Sequence, residues 1–215
     1  MSKPYTETLF SEQITEDRIW RRKEISDLKS AIKRGDASLQ RVLLRALVAI
    51  CYAHWEGYVK YSAKMYLQFV ALRRHQYTTL NRQFLRNHFL PRLAALSTSK
   101  TSIAERCSLI DEILNAGSNR FSRVNDDLVN TKSNLSSDVF ADICIVCDID
   151  VELFADKSDF IDIFLLRRRN AIAHGDDTFV TVGDLDEIAN KTLDLMVSFG
   201  LELENHVALQ AYKSV

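Results

Sequence analysis

Arg167, Arg168, Arg169, Asn170 and His174 fall within one stretch of eight residues, closed by Gly175. An imidazole has an unperturbed pKa of about 6.5, so it can accept or return a proton at neutral pH. A guanidinium presents a planar fork of donors that binds a phosphate or carboxylate and stabilises growing negative charge on it. Asn170 and His174 are four apart and share a helix face. The neighbours Ala171, Ala173 and Gly175 are small, which lets a second backbone come close. Together these residues describe an anion site with a proton carrier, beside a tight helix contact. The arginine that completes it is open. Arg167 lies three and seven residues before Asn170 and His174 and so nearer their face, whereas Arg169 is adjacent to Asn170.

The whole chain must position this segment. It has 215 residues, 47% hydrophobic and 27% charged, the composition of one ordinary globular domain spanning 1–215. Only 6 glycines and 2 prolines are present, too few for the frequent turns that strands need, so the elements are read as long helices. The formal net charge of −1 excludes a broad positive field, so any nucleic-acid contact must be local. No apolar leader opens the sequence. The longest apolar run, 42–53, is broken by Arg45 and followed by His54 and Glu56, unlike a membrane span. A cytoplasmic protein with reduced thiols is expected. Cys144 and Cys147 have the spacing of half a zinc site, but no second pair exists, so both are read as core residues and no metal or cofactor is expected.

Helical periodicity predicts a first helix from Thr15 to Lys33, capped at Gly35. A second, opened by Ser38 and reaching His75, serves as a spine, with Leu39, Val42, Leu43, Ala46, Leu47 and Ile50 as its buried stripe. Thr78 to Leu96 reads as a helix bent or split at Pro91. Ser102 and Glu105 form a capping box for another that ends near Asn115. The polar stretch 118–137 reads as a long loop. The apolar run 138–147 is read as helix, Ser158 as the cap of the arginine helix, and Thr181 to Asp184 as the cap of a last helix. That helix buries Leu185, Ile188, Leu195, Met196, Phe199 and Leu203.

Arg169-Asn170-x-x-Ala173-His174-Gly175 resembles the signature of HEPN domains. Ala53-His54-Trp55-Glu56-Gly57 and Thr131-Lys132-Ser133-Asn134-Leu135 are similar to segments of bacterial stand-alone HEPN ribonucleases. The resemblance covers the chain from the spine helix to the last one. It implies an all-α, HEPN-like antiparallel helical bundle with additional helices, paired about a two-fold axis into a homodimer. It implies a metal-independent endoribonuclease that uses 2′-hydroxyl attack to leave 2′,3′-cyclic phosphate ends. Such proteins act as toxins or antiphage effectors, restrained by an antitoxin protein.

On this reading Arg169, Asn170 and His174 are catalytic, while Arg167 and Arg168 contact the RNA. Glu56 and His54 support the site, or form a structural ion pair. Asn134 is read as a turn residue. The rival reading is a catalytically inactive HEPN-like module that binds RNA, a nucleotide or a protein, such as the antitoxin or structural partner of a neighbouring gene.

Overall fold

A computed structural model describes residues 6–98 and 102–214. Its frame is three long helices, α1 (Glu7–Arg34), α2 (Ala37–Leu72) and α7 (Asp184–Ala208), each packed against the other two. Their shared core holds Phe10, Ile14, Leu47, Trp55, Tyr58, Met196 and Phe199, all fully buried. The six residues expected to form the buried face of α7 are all buried. Shorter helices, α3 (Arg82–Thr98), α4 (Ile103–Asn115) and α5 (Ser137–Val146), complete the bundle. Among the described residues there is no strand, only two isolated bridges. The fold is all-α.

Several boundaries differ from those the sequence predicts. α1 begins at Glu7, eight residues before Thr15, because Thr6 caps it by accepting from the Leu9 amide at 3.0 Å. Asp36 rather than Ser38 caps α2. Leu39 and Val42 are 48% and 62% exposed, not buried. The first turns of α2 extend past the core, so helical spacing there does not mean burial. Pro91 lies inside α3, which starts at Arg82 after a single 3-10 turn. The capping boxes at Ser102–Glu105 and Thr181–Asp184 form as expected, each side chain accepting from the other's amide. Cys144 and Cys147 are buried in the core, and burial pushes the Cys144 thiol up to about 12.

The stretch 118–137 lacks long helices but is pinned rather than loose. Phe121, Val129, Thr131 and Leu135 are buried. Its last residue starts α5, where Asp162 accepts from both the Ser137 amide, at 2.7 Å, and its hydroxyl. A carboxylate at that helix N-terminus is favourable.

Candidate functional site

Ser158 is helical in its backbone and does not cap the arginine helix. Asp150 begins a 3-10 stretch, Val151–Lys157, which runs on into a π-helical stretch, Phe160–Arg167. The five-residue hydrogen-bonded repeat there brings Phe160 and Leu165 to the same buried side. Ordinary α geometry resumes in α6 (Arg168–Ala173), which ends on His174 and Gly175. Gly175 has φ +86°, its amide donates to Ile172 O at 3.1 Å, and the Asp176 amide donates to Ala171 O at 2.9 Å. This is the paired C-terminal closure that favours glycine, because a Cβ resists that backbone.

The three arginines diverge. Arg169 is half-buried, with its guanidinium carbon 4.0 Å from the centre of the Tyr52 ring. Its Nη2 donates to Ser133 O at 3.0 Å and to Asn134 Oδ1 at 3.2 Å. Arg168 lies over Phe164, 4.8 Å from the ring centre, and 3.9 Å from Asp184 Oδ2, so it ties α6 to the start of α7. Arg167 is exposed, and no polar partner holds it among the described residues. The same is true of the Asn170 amide, which is half-buried, and of the His174 imidazole, which is exposed. Arg167, Asn170 and His174 recur at intervals of three and four, so the free polar side chains form one ridge along α6.

The ridge is held from behind by one face of α2. Positions 41, 45, 52 and 56 recur at intervals of four, seven and four, which places them on a single helical stripe. Arg41 pairs with Asp177 at 2.7 Å, and Arg45 Nη1 donates to Asp176 O at 2.8 Å and to Thr178 O at 3.4 Å. These contacts fix the segment just after His174. Tyr52 Oη accepts from the Leu135 amide at 2.6 Å, and the Thr131 hydroxyl donates to Glu56 Oε1. Burial pushes the Tyr52 hydroxyl above the usual tyrosine range, with Leu135 and Arg169 opposing, so the group stays neutral at pH 7.

Over residues 16–205 the sequence matches the model of the RiboL-PSP-HEPN family. The chain belongs to that family. No curated protein and no solved structure matches it. HEPN membership associates the chain with RNA, as a ribonuclease or an RNA-binding domain. No described helix of this HEPN domain is long and apolar enough to cross a membrane.

Of the expected supporting residues, Glu56 reaches the site side of α2 and His54 does not. Two residues apart on a helix, they point to opposite sides. His54 is 5% exposed, and its Nε2 lies 2.8 Å from Glu24 Oε2 on α1, a contact without good hydrogen-bond alignment that is an ion pair only when the imidazole is protonated. Gly57 makes room on that same side for Arg21, whose Nη1 donates to His54 O at 3.3 Å. The His54-Trp55-Glu56-Gly57 run in this HEPN domain is therefore divided. Trp55 fills the core, His54 and Gly57 seat α1, and Glu56 alone serves the site. Tyr52, Arg41 and Arg45 were missed by sequence reasoning, and Thr131 entered only as part of a resembling segment, without a role. The detectable signal of the three on α2, together with Glu56, is their four-seven-four spacing.

Proposed function

We propose that this HEPN domain is an endoribonuclease whose working edge is the ridge of Arg167, Asn170 and His174. The observation that carries the reading is that these three side chains recur on one helical face and have no partner among the described residues. His174 takes the proton of an RNA 2′-hydroxyl, and the freed oxygen attacks the neighbouring phosphorus. The bond from phosphorus to the 5′-oxygen of the next nucleotide breaks, and that oxygen leaves as a 5′-hydroxyl after taking up a proton. The other product end is a 2′,3′-cyclic phosphate. No metal takes part.

Of the three arginines the sequence left open, we assign Arg167 to the phosphate, because it is free to bind one. Arg169 positions the site through Tyr52 and the 131–134 turn. Arg168, expected at the RNA, is engaged by Asp184 and Phe164, and we assign it to holding α6. Asn170 orients the imidazole or hydrogen-bonds the phosphate.

We further propose that two copies pair across this ridge. Ile163, four residues before Arg167, and Phe179, five after His174, are 47% and 78% exposed, so apolar side chains flank the polar ridge along the chain. Ala173 is exposed, and a Cβ on Gly175 would meet nothing within 4 Å, so neither is small to suit a contact inside the chain. A second α6 could approach there.

The deciding experiment measures cleavage of RNA in excess EDTA by wild type and His174→Ala, with analysis of product ends. Full activity in His174→Ala, or cleavage of an all-DNA strand, would sink the mechanism. The engagement of Arg169 within the chain favours a second reading, a module that binds RNA without cutting it. Binding of RNA with no cleavage by the wild type would establish that reading. A role as a toxin or antiphage effector predicts growth arrest on expression, relieved by His174→Ala.

A further inference from the structure

The turn braced by Arg169 has a buried base and an exposed crown. Asn134 N donates to Thr131 O at 2.9 Å, and the two residues between, Lys132 and Ser133, have φ of +51° and +61°. Neither is glycine, so this backbone is held against its own preference by its surroundings. Thr131 and Leu135 are buried and anchored to Glu56 and Tyr52. Lys132, Ser133 and Asn134 are exposed. Lys132 Nζ is 4.0 Å from Asp142 Oδ2, with its side chain 68% exposed.

The orientation of the Asn134 amide follows from chemistry. A guanidinium carries donors and no acceptor, so the amide must turn its oxygen toward Arg169. Its NH2 group is thereby the end left for other partners. The result is a pair of donors, fixed in direction by an arginine of the cleavage helix, next to an exposed ammonium. An ammonium suits a phosphate, and a directed pair of donors suits the acceptor edge of an unpaired base.

We infer that the 131–134 turn reads the RNA. Asn134 donates to the keto oxygen of a single-stranded base beside the cleaved phosphate, O6 of guanine or O4 of uracil, and Lys132 binds a flanking phosphate. This inference rests on the ribonuclease reading and gives it a substrate preference. Bases that present an amino group in that position, N6 of adenine or N4 of cytosine, leave the Asn134 donors facing another donor.

Asn134→Asp tests it. The carboxylate still accepts from Arg169 but replaces the outward donors with an acceptor. A pool of random-sequence RNA is digested by wild type and by Asn134→Asp, and the bases flanking each cut are counted. The wild type should favour guanine and uracil at one flanking position. The variant should shift that ratio toward adenine and cytosine by about tenfold, the scale of a hydrogen bond exchanged for a mismatch.

Identical flanking preferences overturn the role of the turn while leaving the ribonuclease intact. Absence of cleavage by the wild type overturns the ribonuclease reading itself. To cover a variant that cuts too slowly to sequence, fluorescence anisotropy of short uridine and cytidine homopolymers is measured with His174→Ala, alone and combined with Asn134→Asp. The uridine strand should bind better to the first and the cytidine strand better to the second. An unchanged ratio overturns the inference.

Discussion

The Arg169 guanidinium stacks on Tyr52 at 4.0 Å while the hydroxyl of the same ring accepts the Leu135 amide, so one side chain holds both the arginine helix and the turn facing it. Tyr52→Phe keeps the stack and leaves the buried Leu135 amide without its acceptor, a loss of about 1–3 kcal/mol. Tyr52→Leu also removes the cation–π contact, for roughly 0.5–2 kcal/mol more. Chemical denaturation should rank wild type above Tyr52→Phe above Tyr52→Leu, with RNA cleavage in the same order. A Tyr52→Phe protein as stable and active as the wild type would show that the hydroxyl is not a latch.

Arg167 and His174 should separate function from stability. Both are exposed and without a partner among the described residues, so alanine at either position should change unfolding free energy by less than about 0.5 kcal/mol. His174→Ala should lower RNA cleavage by roughly 10²–10⁴-fold. Arg168→Ala should do the reverse, with stability reduced by up to about 1 kcal/mol and RNA binding keeping its dependence on salt. Replacing the three arginines one at a time, with cleavage and denaturation measured on each, checks the assignment.

The residues behind His174 are held by Arg45 through two carbonyls. Arg45→Ala should speed hydrogen exchange across 175–180 and lower stability by about 1 kcal/mol. Arg41→Ala should do much less, because its pair with Asp177 is more than half exposed on both sides. Exchange rates in both variants equal to those of the wild type would argue that neither contact orders the segment.

Gly57→Ala would place a Cβ 2.6 Å from Arg21 Nη1. Arg21 is only 8% exposed and is bound to Asp17 at 2.7 Å and 3.2 Å, so it has little freedom to yield. The gain of about 1 kcal/mol from alanine in a helix is outweighed by overpacking of about 1–3 kcal/mol. A lower melting temperature is the expected result, and a higher one would mean that Arg21 moves freely.

Burial holds the His54 imidazole below its usual range, with Glu24 pulling the other way. The folded state thus takes up that proton at lower pH than the unfolded chain does. The stabilisation is complete above about pH 6.5 and is lost as pH falls through the folded value. His54→Gln should lose less melting temperature than the wild type between pH 7 and pH 5. Some slope should remain, because burial shifts His75 and His206 in the same direction. An unchanged slope would exclude His54 as a source of acid sensitivity.

Periodicity revealed α7 because its apolar residues face one continuous core along most of its length. It failed at Leu39 and Val42, where the same spacing runs beyond the core into solvent. Ser158 misled because a serine before an apolar run is an ordinary cap, and nothing local announces that the chain is already helical from Val151. The ridge of α6 was legible because its members lie within a few residues of one another. Asn134 was read as a turn residue and Glu56 as a supporting one, but the contacts that join turn and anchors were not legible, since Glu56 meets Thr131, and Tyr52 meets Leu135, only after distant parts of the chain have packed. Three arginines in a row cannot be told apart by type. Their different roles come from where α6 lies against Tyr52, Asp184 and solvent.

The stripe on α2 also sets an order in time. Translation makes the anchors Arg41, Arg45, Tyr52 and Glu56 first, the 131–134 turn later, and Arg167 to His174 later still. A nascent chain therefore carries the mounting without the cutting edge. The edge takes its place only when late-made residues fold back onto a helix already complete at Leu72. Under the function proposed above, the RNA-contacting edge is absent until the chain has been made through His174 and has folded back onto α2.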